Sequence, residues 1–179
     1  MKKLTNEEIS SNRSTLETID RVNKLPVYVI LNSIRSSYNV GSIFRTSDGA
    51  MITKLFLCGY TPHPPKKEIL KTALGSTESV DWEFVEDARD VVEKLKAEGI
   101  KICALEQTSN SRKHYSIKSN EFPLAVIVGN EVTGVSQELI DLCDFSIEIP
   151  QHGIKQSLNV AVAYGISIFE LRKIYDTKI

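Results

Sequence analysis

The chain has 179 residues, 41% of them hydrophobic, and a formal net charge of −1. That is enough for one domain with an apolar core, and it excludes the strongly basic balance that marks many nucleic-acid-binding domains. No apolar run approaches the roughly 20 residues that cross a bilayer, and the polar start MKKLTNEEISSNR lacks the core of a secretory leader, so a cytoplasmic protein is expected.

Taken in chain order, Thr5 and Glu8 stand in capping-box spacing ahead of Ile9, Leu16 and Ile19, with Pro26 beyond. This predicts a helix over 5–23, outside any sheet, and makes 1–25 an N-terminal helical extension of a domain spanning 26–179. Short apolar runs follow at Tyr28–Leu31, Leu55–Cys58, Ile102–Leu105, Leu124–Val128 and Phe145–Ile149, with a further strand expected at Val80–Val85. Each has the length of a buried strand, and helix-like stretches separate them, which predicts an α/β domain with a mainly parallel sheet flanked by helices. Ala88, Val91, Val92 and Leu95 fall on one face of a helix that Gly99 stops. A shorter helix opens after Gly134, and the longest runs from Ser157, as its cap, to about Tyr175. That last stretch is apolar on more than one face and is expected to be buried on two sides.

Cys58, Cys103 and Cys143 are far apart beside apolar runs, and His63, His114 and His152 are equally scattered, which suggests reduced core thiols and no metal site. Charge is unevenly placed: Glu78–Glu93 carries seven acids against Arg89, whereas Lys101–Lys118 carries four bases against Glu106. Such segregation is compatible with a basic face on a neutral protein, and equally with ordinary solvated surfaces. The polar loop Gln107–Asn120, with Arg112 and Lys113, and the N-terminal segment, with Arg13 and Arg21, are the expected places for the phosphates of any anionic partner.

Three motifs carry chemistry. In the first, Asn39-Val-Gly-Ser-Ile-Phe-Arg45, Asn39 is placed to cap a helix with Arg45 about two turns inside it. By residue type alone this reads first as a capped helix with a surface arginine. In the second, a buried strand runs into Gly129-Asn130-Glu131 and Gly134, a βα turn of the kind that lets backbone amides approach a ligand. The third runs from Ile149 through Pro150, Gln151 and Gly153 to Ser157-Leu158-Asn159-Val160, where Asn159 is an unusual choice inside a helix start.

Together these motifs resemble the SPOUT superfamily and, within it, the SpoU or TrmH-like RNA ribose 2′-O-methyltransferases. The resemblance covers about Pro26 to Leu171 and departs from the family at Gln151, where methionine is common. It implies a C-terminal deep trefoil knot, a homodimer and S-adenosyl-L-methionine as cofactor. Gly129, Asn130, Ile149, Gly153 and Leu158 would hold that cofactor, and Arg45, Asn39, Glu131, Ser157 and Asn159 would be catalytic. An arginine is a poor base and a good phosphate fork, so Arg45 reads as an anchor beside the target ribose. The expected substrate is tRNA rather than rRNA, with neither membrane nor metal involved. A silent RNA-binding dimer and a SPOUT base methyltransferase are the competing readings.

Overall fold

The computed structural model describes residues 1–177. After a short helix α1 (Asn6–Ser10) and a 3-10 turn at Ile19–Arg21, the chain alternates strands and helices. The order is β1 (Leu25–Asn32), α2 (Ser37–Ala50), β2 (Ile52–Cys58), α3 (Lys67–Ala73), α4 (Ser76–Ser79), β3 (Trp82–Val85), α5 (Ala88–Ala97) and β4 (Lys101–Leu105). It continues with β5 (Arg112–Lys113), β6 (Leu124–Val128), α6 (Gln137–Leu142), β7 (Phe145–Glu148) and α7 (Val160–Asp176). Seven strands form one sheet in the order β3-β2-β1-β6-β4-β7-β5, and every pairing is parallel.

Side chains alternate across a strand, so a parallel sheet covered on both sides needs apolar residues on both. Val29, Leu31, Val126 and Val128 pack with Ile43 and Phe44 of α2 and Tyr164, Ile168 and Leu171 of α7. Their neighbours Ile30, Ala125 and Ile127 pack on the opposite side with Val91, Val92 and Leu95 of α5 and Leu139 of α6. A buried hydrogen bond of 2.7 Å between Ser47 and Tyr164 joins α2 to α7. Among the described residues no helix is long and apolar enough to cross a membrane, and no cluster of three His, Cys, Asp or Glu side chains is placed to hold a metal ion. Burial pushes the Cys58 thiol up to about 12 and the Cys143 thiol up to about 11.

The expected helix over 5–23 is not formed. The Thr5–Glu8 capping box is present, but α1 ends after five residues. Ser11 Oγ and Asn12 Nδ2 both donate to the Glu8 carbonyl, and Thr18 Oγ1 accepts from Thr15 N, so short polar side chains offer the backbone partners other than the next helical turn. Two caps also move. Ser36, not Asn39, caps α2, and Asn159, not Ser157, caps α7. Finally, α7 is buried on one side only within this chain: Val162, Ile166 and Phe169 remain 50%, 41% and 49% exposed. Gly165, small enough for a close contact, faces Thr46 of α2 in the same chain.

Candidate active site

Because β4 lies between β6 and β7, the carboxyl ends of all three emerge together. The loops leaving them wall a cavity of about 870 Å³ that includes Glu106, Gln107, Gly129, Asn130, Glu131, Ile149, Ser157 and Leu158. This is the edge at which open parallel sheets take ligands.

The loop after β6 is shaped by its own side chains. Asn130 and Gly134 exchange backbone hydrogen bonds of 3.1 and 2.9 Å, and Gly134 holds φ +68°, a conformation other residues adopt only under strain. A Cβ at Gly129 would overlap the Gly134–Val135 peptide, so the turn closes tightly only over glycine. The buried Asn130 amide is fully engaged: Oδ1 accepts from Val132 N and Thr133 N, while Nδ2 donates to the Ser33 carbonyl at 2.8 Å and to Tyr60 Oη at 2.6 Å. Its side chain therefore builds the cavity wall.

The three motifs meet in one run of hydrogen bonds. Asn159 Oδ1 accepts from Ala161 N and Val162 N, and its Nδ2 donates to Asn39 Oδ1 at 3.1 Å. Asn39 Nδ2 in turn donates to Glu131 Oε1 at 2.9 Å, and Glu131 also accepts from Arg35 N at 2.8 Å and Ser36 N at 3.0 Å. Burial pushes the Glu131 carboxyl up, but the hydrogen bonds from Arg35, Asn39 and Ser36 outweigh it and hold the group below its ordinary value of 4.5. Asn159 thus caps a helix and orients Asn39 with the two ends of one amide.

Other expected site residues lie elsewhere. Gly153 does not line the cavity, and nothing stands within 4 Å of where its Cβ would be. Gln151 does line it and donates back to the Ile149 carbonyl at 3.1 Å. Arg45 is exposed on α2, outside the cavity, with no hydrogen bond or ion pair from its side chain among the described residues. Its neighbour Thr46 faces α7.

The four expected RNA-contacting residues divide in two. Arg13 and Arg21 are exposed. Arg112 is engaged: its guanidinium donates twice to Glu121 Oε1, at 3.0 and 2.9 Å, and lies 4.2 Å from the Phe145 ring centroid. Lys113 pairs with Glu148, and that partner, with Ser111, holds the Glu148 carboxyl below its ordinary value. The loop expected over Gln107–Asn120 is thereby drawn onto the sheet, where Arg112–Lys113 forms the edge strand β5 beside β7.

One residue outside the motifs also shapes the cavity. Glu106 accepts from Gln107 N at 2.8 Å and from Val135 N at 3.0 Å, tying the end of β4 to the turn after β6. An acid immediately after an apolar strand was the only signal of it in the sequence.

A cavity at the carboxyl edge of an all-parallel sheet, closed by a glycine turn, places the molecule among α/β proteins that bind a small ligand at that edge. The particular family follows from its residues: the chain belongs to the SpoU rRNA methylase family, whose pattern matches residues 26–169. It is 33% identical over 156 residues to the tRNA (guanosine(18)-2′-O)-methyltransferase of Aquifex aeolicus, covering 84% of this chain and 70% of that protein. The crystal structure of the A. aeolicus TrmH/SpoU tRNA modifying enzyme superposes with a TM-score of 0.81 at 27% identity, covering 91% of this chain and 83% of that one. The AdoMet-bound rRNA methyltransferase from Sinorhizobium meliloti superposes with a TM-score of 0.77 at 29% identity, covering 86% and 61%. The chain spans 59% and 58% of the length of TrmH-family relatives from Bacillus subtilis and Staphylococcus haemolyticus.

Proposed function

We propose that this protein transfers a methyl group from S-adenosyl-L-methionine to a ribose 2′-hydroxyl of RNA, and that the RNA is tRNA. The observation that carries the reading is the Asn159–Asn39–Glu131 run of hydrogen bonds beside a ligand-sized cavity. The tRNA assignment draws on the Aquifex relative, whose name gives tRNA as its substrate.

The cavity suits the cofactor: the tight turn from Gly129 to Gly134 forms part of its wall, and Ile149 and Leu158 supply apolar contact. When bound, the cofactor supplies an electrophilic methyl group. The chain's own task is to hold the ribose in line, and positioning of this kind is worth roughly 7–11 kcal/mol in favourable cases. Asn39 is fixed at both ends of its amide and orients the substrate, while Glu131 keeps Asn39 and the start of α2 in place. Ser157 stands at the cavity wall, within reach of an entering hydroxyl. Arg45, exposed and unpartnered among the described residues, anchors the phosphate beside the target ribose, a role its planar fork fits better than proton abstraction.

The reading extends to the assembly. A homodimer that covers Val162, Ile166 and Phe169 removes the apolar face that α7 leaves exposed, and it brings a second molecule close to Arg45 and Thr46. Arg13 and Arg21 on the N-terminal extension, residues 1–25, contact RNA phosphates, and Arg112 and Lys113 contribute only as far as their carboxylate partners release them. The methyltransferase domain, 26–179, includes the C-terminal trefoil knot, supported by the insertion of β4 between β6 and β7 and by three loops crowding one cavity. The protein works in the cytoplasm, where its substrate is. Mapping 2′-O-methyl groups in RNA from cells with and without the protein tests the reading: one tRNA ribose position loses its methyl group, whereas an unchanged map contradicts it.

A further inference from the structure

The cavity wall is acidic. Glu106, Glu131, Asp144 and Glu148 line it, and among the described residues that do so there is no lysine, arginine or histidine. Two of these charges are answered from outside the cavity, Glu148 by Lys113 and Asp144 by Lys96 at 3.9 Å. Glu131 belongs to the hydrogen-bonded run described above. Glu106 is different: its partners are two backbone amides, from Gln107 and Val135, and it has no ion pair among the described residues. Its carboxylate also presses against Gly134, so that a side chain there would collide with it. The group is held from two directions, and among the described residues no cation pairs with its carboxylate.

A methyl donor and its product differ in one respect that such a group senses. The donor's sulfonium carries a positive charge, and the thioether left after transfer carries none. A fixed carboxylate attracts the first and not the second, more strongly as water is excluded. We propose that Glu106 is a specificity-determining residue that makes the cavity prefer the cationic donor over the neutral product, so that the product leaves once the methyl group is transferred. The inference rests on the reading of this cavity as the S-adenosylmethionine site and adds a residue that none of the three motifs contains. The same charge, with no basic side chain opposing it, keeps phosphates out of the cavity and leaves RNA to bind at its mouth.

The test is calorimetric titration of the purified protein with S-adenosylmethionine, with S-adenosylhomocysteine, and with an analogue in which a protonated amine replaces the sulfonium. In Glu106→Gln the preference for the two cationic ligands over S-adenosylhomocysteine is expected to fall about three- to tenfold, the effect of one charge across a partly solvated site. Glu106→Asp keeps the charge while disturbing the hydrogen bonds, so all three affinities fall together and the preference stays. Equal weakening of all three ligands in Glu106→Gln, or loss of the preference in Glu106→Asp, overturns the proposal and leaves Glu106 a structural clamp. Wild-type protein that binds none of the three overturns instead the reading of the cavity on which the proposal rests.

Discussion

Two regions of the molecule use polar side chains in opposite ways. In the three motifs, residues far apart in sequence pass hydrogen bonds from one to the next, Asn159 to Asn39 to Glu131, and Arg45, further along α2 from Asn39, is left unpartnered among the described residues. Between Gln107 and Glu121 two basic side chains are matched with acids, Arg112 with Glu121 and Lys113 with Glu148. Both regions carry arginine, and the residue type alone does not separate them. The partner decides: an arginine stacked on Phe145 and forked onto a carboxylate is part of the fold, whereas an exposed one without a partner is available to an incoming phosphate.

The sharpest way to break this contrast is to remove each arginine in turn. Arg45→Ala should lower single-turnover methyl transfer on the order of a hundredfold or more, with cofactor affinity nearly unchanged, because the proposed phosphate contact lies at the reacting centre. Arg45→Lys should not restore the rate, since one ammonium cannot reproduce the fork. Folding stability should stay within about 0.5 kcal/mol, as for other exposed positions. A variant that keeps its rate would make Arg45 an ordinary surface residue.

Asn39→Ala and Asn159→Ala should each lower turnover by about tenfold, an interaction of about 1.4 kcal/mol lost. Because Asn159 holds Asn39, the double variant should lose less than the product of the two effects. Strict additivity would show that the two amides act separately.

Arg112→Ala should reverse the pattern of Arg45→Ala. It removes a pair with the largely buried Glu121 and a ring contact, at a cost of about 1 kcal/mol in urea denaturation. The salt dependence of RNA binding should be unchanged. A fall of about one unit in the salt slope with stability intact would place Arg112 on the RNA surface instead.

The smallest effect concerns pH. Hydrogen bonds to Glu131 outweigh its burial and hold its folded pKa below the ordinary 4.5. The stability it contributes is therefore present above the unfolded value and lost as pH falls through the lower folded value. Wild-type protein should lose stability below about pH 4.5 more steeply than Glu131→Gln, read from urea midpoints across that range. Identical profiles would show that these bonds do not favour the carboxylate.

The strands were legible because a doubly covered parallel sheet demands unbroken apolar runs, and Leu124–Val128 is buried at every position. What the pattern could not supply was pairing. Nothing in the order of residues shows that Arg112 turns to Glu121, or that Glu106 reaches Val135, since both contacts exist only once the sheet has assembled. Asn159 reads in the sequence as an awkward helix residue, and its place at the cap explains both the awkwardness and the contact with Asn39. The N-terminal segment misled in the other direction: one good capping box started α1, and the polar residues after it ended the helix within five residues.

The central claim is that the motif residues and the cavity together form a site for ribose methylation. The most direct measurement incubates the purified protein with tRNA and S-adenosylmethionine labelled in its methyl group, then digests the RNA with alkali, which cannot cleave beside a 2′-O-methylated ribose. Label recovered in alkali-resistant dinucleotides, and accumulating about tenfold more slowly when Asn39→Ala replaces wild type, is the predicted result. Label in single nucleotides, which would place the methyl group on a base, or no transfer to any RNA offered, would contradict the account.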